Sequence, residues 1–153
     1  MTSNPRGDSG ERESIDSSWS AVLAHRRNES AGAFEAVAAR FEATGLSPTD
    51  VMVHLADGGD ALYAAAASGD PRWSDQYGGT LAVALLAAEV SALMSHLVSR
   101  AAGVRALSIA ELLDDYSAVT VARELGVARQ KIYGLARDDL NTHFIPTAPW
   151  RTP

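Results

Sequence analysis

The sequence predicts an all-α protein, an N-terminal helical bundle built around a long central helix and followed by a smaller C-terminal three-helix unit. Three observations carry this. Apolar residues recur at intervals of three and four from Ile15 onward, the spacing of one face of an α-helix. No segment alternates apolar and polar residues over a useful length, so no sheet is expected. Helix starts and stops are marked by Ser, Asp, Pro and Gly at the right places. With 153 residues, about one domain's worth of chain, a core can form without metal or disulfide. The absence of cysteine removes thiolate chemistry altogether.

Residues 1–14 are rich in Ser, Gly, Asp, Glu and Arg without hydrophobic period, and are expected to be a disordered tail. Residues 15–103 form the bundle. Ile15, Trp19, Val22 and Leu23 make one apolar stripe and Phe34, Val37, Ala38 and Phe41 a second, giving two helices broken near Asn28 to Gly32 and ended by Gly45. The next start is the clearest: Ser47 can cap, Pro48 suits the first helical position, and Asp50 favours the positive end of the helix dipole. Gly58 and Gly59 should end or kink that helix, Ala61 to Ala67 continues as a second piece, and Pro71 to Gly79 reads as a loop carrying Trp73 and Tyr77.

From Thr80 to about Ala102 a single helix is expected. Val83, Leu86, Val90, Leu93 and Leu97 recur along it at alternating steps of three and four, a seam that packs within its own chain and could at the same time line a homodimer interface. Leu81, Leu85, Met94 and Val98 occupy other faces, which places the helix centrally. A membrane span is not expected, because Glu89, Ser91, Ser95 and His96 interrupt the apolar run.

Ser108, with Glu111 three residues on, looks like a capping box opening a new helix, and residues 104–139 are assigned as a separate unit. Val121, Ala122 and Leu125 give one helix its inward face. Gly126 sits where the chain leaves that helix, Val127 fills the corner, and Ile132 and Leu135 face inward from the next. Residues 118–137, AVTVARELGVARQKIYGLAR, resemble the helix-turn-helix of many bacterial transcription regulators and of the DNA-binding ends of resolvase/invertase recombinases. The resemblance covers Ser108 to Asp138. It implies a tri-helical helix-turn-helix that binds double-stranded DNA, with the second helix in the major groove. On that basis Arg129, Gln130 and Tyr133 are expected to touch bases, and Thr120, Arg123, Lys131 and Arg137 to touch phosphates. One departure is Ala128, where the family commonly has a capping Ser or Thr. Residues 140–153 form a proline-rich tail in which Phe144, Ile145 and Trp150 are candidate anchors.

Charge narrows the function. The chain carries 13 basic and 19 acidic residues, a net −6, so DNA binding must rest on a local patch. Ala128 to Arg137 supplies one, with Arg129, Lys131 and Arg137 and no acid. His54, Asp57 and Asp60 share a suggestive spacing, but Gly58 and Gly59 interrupt it, and no metal site is expected. No nucleophile elbow, phosphate loop or dinucleotide fingerprint occurs. The expectation is therefore a non-enzymatic, cofactor-free, homodimeric regulator of the bacterial cytoplasm. Against it stands a protein-interaction module in which the helix-turn-helix is structural. A small-molecule effector site among Trp19, Trp73 and Tyr77 is a third reading.

Overall fold

A computed structural model describes residues 18–140 and 143–148. Among them every regular element is helical and none is a strand. The tail expected over residues 1–14, Ile15 of the first stripe and Trp150 lie outside the described residues. The described residues form two compact units, residues 18–94 with 145–148 and residues 95–140 with 143–144.

In the first unit a helical segment at 18–22 runs into a 3₁₀ turn, Ala24–Arg26. Three helices follow, α1 (Ala33–Ala43), α2 (Pro48–Ala56) and α3 (Asp60–Ala67). A second 3₁₀ turn, Asp75–Tyr77, then leads into α4 (Thr80–Asp115). Helix α1 ends in a Schellman arrangement, in which the Gly45 amide donates to the Glu42 carbonyl and the Leu46 amide to that of Phe41. Helix α2 opens two residues later with the expected cap. Ser47 Oγ accepts from the Asp50 amide at 3.2 Å, and Asp50 Oδ2 accepts from the Ser47 amide at 2.8 Å. These bonds to the ionised form hold the Asp50 carboxyl below its ordinary range, those from Ser47 contributing most.

The core of this unit contains Trp19, Leu23, Phe41, Val51, Leu55, Leu86 and Leu93, all almost fully buried. Trp19 stacks on Phe41 with ring centres 5.6 Å apart, and its indole N–H donates to Glu42. It is thus a packing residue of the core. Glu89 is 2% exposed. It is held by Arg26 through two bonds of 2.7 and 2.9 Å and meets His25 Nε2 at 2.6 Å. Burial alone would push the Glu89 carboxyl up, but the bonds to His25 and Arg26 outweigh it and the net shift is downward.

Helix α4 differs from expectation in two ways. It runs 36 residues without a break, so Ser108 lies in its interior, its hydroxyl donating to the Val104 carbonyl at 2.9 Å instead of capping a new start. Nothing between Ala101 and Leu107 stops the helix, because Gly103 alone lowers helical preference by only about 1 kcal/mol. Gly103 has a packing reason: a Cβ there would meet Leu140 Cδ1 at 3.3 Å and Phe144 at 3.5 Å. Secondly, Val83, Leu86, Val90 and Leu93 are buried within the chain itself and Leu97 is half-buried. The seam read as a candidate dimer interface is core, and the exposed side of α4 in the first unit instead carries Leu81, Ala84, Ala87, Ala88 and Ser91. By length and apolarity α4 could cross a bilayer, with an 18-residue window of mean hydropathy 1.9; one such helix is weak evidence, since core helices share these properties.

Candidate nucleic-acid interface

The second unit contains the end of α4 and two short helices, α5 (Ala118–Leu125) and α6 (Arg129–Leu135). Ser117 opens α5, its Oγ accepting from the Thr120 amide at 3.2 Å and lying 3.0 Å from Thr120 Oγ1. This cap was not among the sequence expectations, which named Ser108 for the preceding helix and none for this one. The signal for Ser117, a serine directly before an apolar helix start, was present without the partner acid of a capping box. Helix α5 ends at Gly126, whose φ of +67° lies in the left-handed region that side chains disfavour. The Val127 amide returns to the Ala122 carbonyl at 3.0 Å, closing the turn.

After Val127 the chain extends through Ala128 and enters α6 with no side-chain cap. Ile109, Ala118, Val121, Ala122 and Ile132 form the buried cluster, with Leu113, Leu135 and Ala136 packed against it. Val121, Ala122, Ile132 and Leu135 therefore face inward as expected. Leu125 and Val127 do not, being 43% and 36% exposed. The reason is geometric: Ala118 and Ile109, absent from the expected set, fill the interior, and the turn at Gly126 leaves Leu125 and Val127 on the outside. The Arg137 amide donates to the Ala106 carbonyl at 3.1 Å, tying the end of this segment to α4.

Arg129, Gln130, Lys131 and Tyr133 are all exposed, Tyr133 at 68%. Arg129 and Tyr133 are one helical turn apart and so share a side of α6. No Asp or Glu lies between Ala128 and Arg137. The residues read as phosphate contacts are less uniform. Lys131 is exposed, whereas Thr120 is half-buried at the start of α5. Arg123 Nε and a terminal nitrogen both donate to Glu124 at 3.1 and 3.0 Å, an exposed pair of little strength that another anion can displace. One terminal nitrogen of Arg137 donates to the carbonyls of Gly134 and Ala136, so part of this guanidinium serves the helix end.

A second feature was not anticipated. Leu112, Tyr116, Thr120, Val121, Glu124 and Leu125 line a groove of about 340 Å³ between the end of α4 and α5, with Tyr116 56% exposed. Among the described residues no group of three or more His, Asp or Glu could hold a metal. In the first unit Asp57 accepts from the amides of Gly59 and Ala61, closing the turn between α2 and α3. In the second unit His96 sits edge-on to Phe144 at 5.4 Å.

No protein-family model matches the chain, and comparison with curated proteins and with solved structures finds no match either.

Proposed function

We propose that the chain is a sequence-specific DNA-binding protein acting as a homodimer, a transcriptional regulator of the bacterial cytoplasm in which α5 and α6 form a helix-turn-helix. One observation carries it: Arg129, Gln130, Lys131 and Tyr133 stand exposed together on a helix that carries no acid. Such a surface supplies what groove binding needs, cations for phosphates and forked or amide donors for base edges. Arg129 suits the acceptors of guanine, Gln130 the paired donor and acceptor of adenine, and Tyr133 offers an aromatic edge with a hydroxyl. Lys131, Arg123, Arg137 and Thr120 would set position on the backbone. Dimerisation follows from energy, since one unit makes few base contacts and two on a palindrome about double the specific free energy. In α4, the burial of one side by its own chain and the ion pair at Glu89 favour a core helix over a span.

The test is selection of random duplex oligonucleotides by the purified protein at low and moderate salt. An enriched palindrome, retained poorly at the higher salt, is the expected result. The groove of Leu112, Tyr116 and Leu125 favours a second reading, in which the same three-helix unit docks another protein. Failure to enrich any motif, with retention insensitive to salt, would turn the assignment to that docking role.

A further inference from the structure

Eight of the ten glycines among the described residues have φ between +66° and +101°, backbone that side chains disfavour. Gly103 lies within α4, where a Cβ would press on Leu140 and Phe144. Gly134 has neither reason. It stands in α6 without positive φ, it is exposed, and a Cβ there would meet nothing within 4 Å. Glycine also weakens a helix relative to alanine, because its backbone loses more freedom on folding. Helix α6 absorbs that badly, having only seven residues and no side-chain cap at Ala128. Nothing in the fold of the second unit calls for a glycine here, which leaves the outer surface of α6. Gly134 follows Lys131 by three residues and Gln130 by four, so one turn on it shares their side of the helix. Both side chains are exposed. A terminal nitrogen of Arg137 donates to the Gly134 carbonyl at 3.1 Å, which sets a guanidinium beside the glycine. The bare backbone is thus bordered by two cations and an amide, with no acid from Ala128 to Arg137.

We infer that Gly134 is a clearance position for DNA: the missing Cβ lets a sugar–phosphate strand lie against the backbone of α6, so that Gln130 reaches base edges while Lys131 holds a phosphate. The inference rests on the DNA-binding reading and deepens it. A methyl group at this position would stand between helix and strand and hold the two apart. Hydrogen bonds to base edges weaken steeply beyond about 3.2 Å, so Gln130 loses its contact first. The attraction of an ammonium for a phosphate falls only with inverse distance and persists. Specific binding is therefore lost before non-specific binding. A glycine that α6 merely tolerates leads to the opposite result, since alanine would then firm the helix and leave affinity the same or higher.

The experiment compares the full chain with Gly134→Ala and Gly134→Leu, by thermal unfolding and by fluorescence anisotropy on the duplex enriched in selection and on a scrambled duplex. Gly134→Ala is expected to raise Tm by about 2 °C and yet to weaken the selected duplex by about tenfold, the scale of one lost base contact. Gly134→Leu should weaken it further. The scrambled duplex should change by less than about twofold in Gly134→Ala. Stability and affinity moving in opposite directions is a result that a purely structural glycine does not give. Affinity for the selected duplex within about twofold of the unchanged chain in both variants, or equal loss on both duplexes, would overturn the inference and leave DNA binding standing. A lower Tm in Gly134→Ala would put the need for glycine inside the fold and overturn it as well. If the unchanged chain enriches no duplex, the DNA-binding reading and this inference fall together.

Discussion

Arg129 and Lys131 are two residues apart on α6 and equally exposed, yet their removal should have different consequences. A guanidinium can form two parallel bonds to one base, whereas an ammonium is a point charge suited to phosphate. Arg129→Ala is expected to cost about 1–3 kcal/mol on the preferred site and to relax specificity, and Lys131→Ala to weaken all sequences alike. Competition binding against matched and scrambled duplexes separates the two, and equal losses on both duplexes from both variants would refute the division. Glu89 is a residue of the other kind, buried in the core of the first unit and paired with Arg26 and His25. Its carboxyl titrates below the ordinary glutamate range because His25 and Arg26 bind its charged form. A depressed folded-state value contributes stability that is fully present above the unfolded value, about 4.3, and is lost as pH falls through the folded one. Glu89→Gln should therefore cost about 2 kcal/mol or more at pH 7, leaving Arg26 beside a neutral partner. Thermal unfolding at a series of pH values should show this gap closing below about pH 4; a gap that widens there would contradict an ionised Glu89.

The helix ends show how far local signals reach. The cap at Ser47 was legible because serine, proline and aspartate act within four residues of one another, and the stop at Gly126 because positive φ is a local demand. Ser108 carried nearly the same signature and lies mid-helix, since a capping box marks a start only where the preceding residues are not already helical. The inward set of the second unit was read correctly at Val121, Ala122, Ile132 and Leu135 and wrongly at Leu125 and Val127. Ile109 decides that difference: it belongs to α4, and which face of a neighbouring helix fills a core is not a property of the helix being read. Ala128 remains a local anomaly. Its backbone is extended, with φ −67° and ψ 136°, as a capping residue requires, but it has no side-chain acceptor. Ala128→Ser should accordingly raise the stability of the second unit by about 0.5–1 kcal/mol, and Ser117→Ala should lower it by about 1. Chemical denaturation of the two variants checks both signs.

At the scale of the whole molecule, charge and assembly were unequally legible. The net charge of −6 describes an average, and the placement of Arg129, Lys131 and Arg137 on an acid-free segment was evident from order along the chain. The homodimer seam was not, because a stripe at steps of three and four is the same whether the partner helix belongs to this chain or to another. Val83, Leu86, Val90 and Leu93 found theirs at home. The number of subunits on DNA is therefore better measured than read, and salt counts it. Each neutralised phosphate releases condensed counterion, so log K falls against log salt with a slope of about −0.9 per contact. In the proposed interface one subunit offers Arg123, Lys131 and Arg137 to phosphates, about three contacts and a slope of about −2.7. Two subunits on a palindrome give a slope of about −5.4. Between 50 and 200 mM salt these correspond to losses of about 40-fold and about 1,800-fold, far enough apart for fluorescence anisotropy to distinguish. The steep slope is expected on the full palindrome and the shallow one on an isolated half-site. A shallow slope on both would mean that single copies bind independently, and no dependence on salt would remove α6 from the DNA surface.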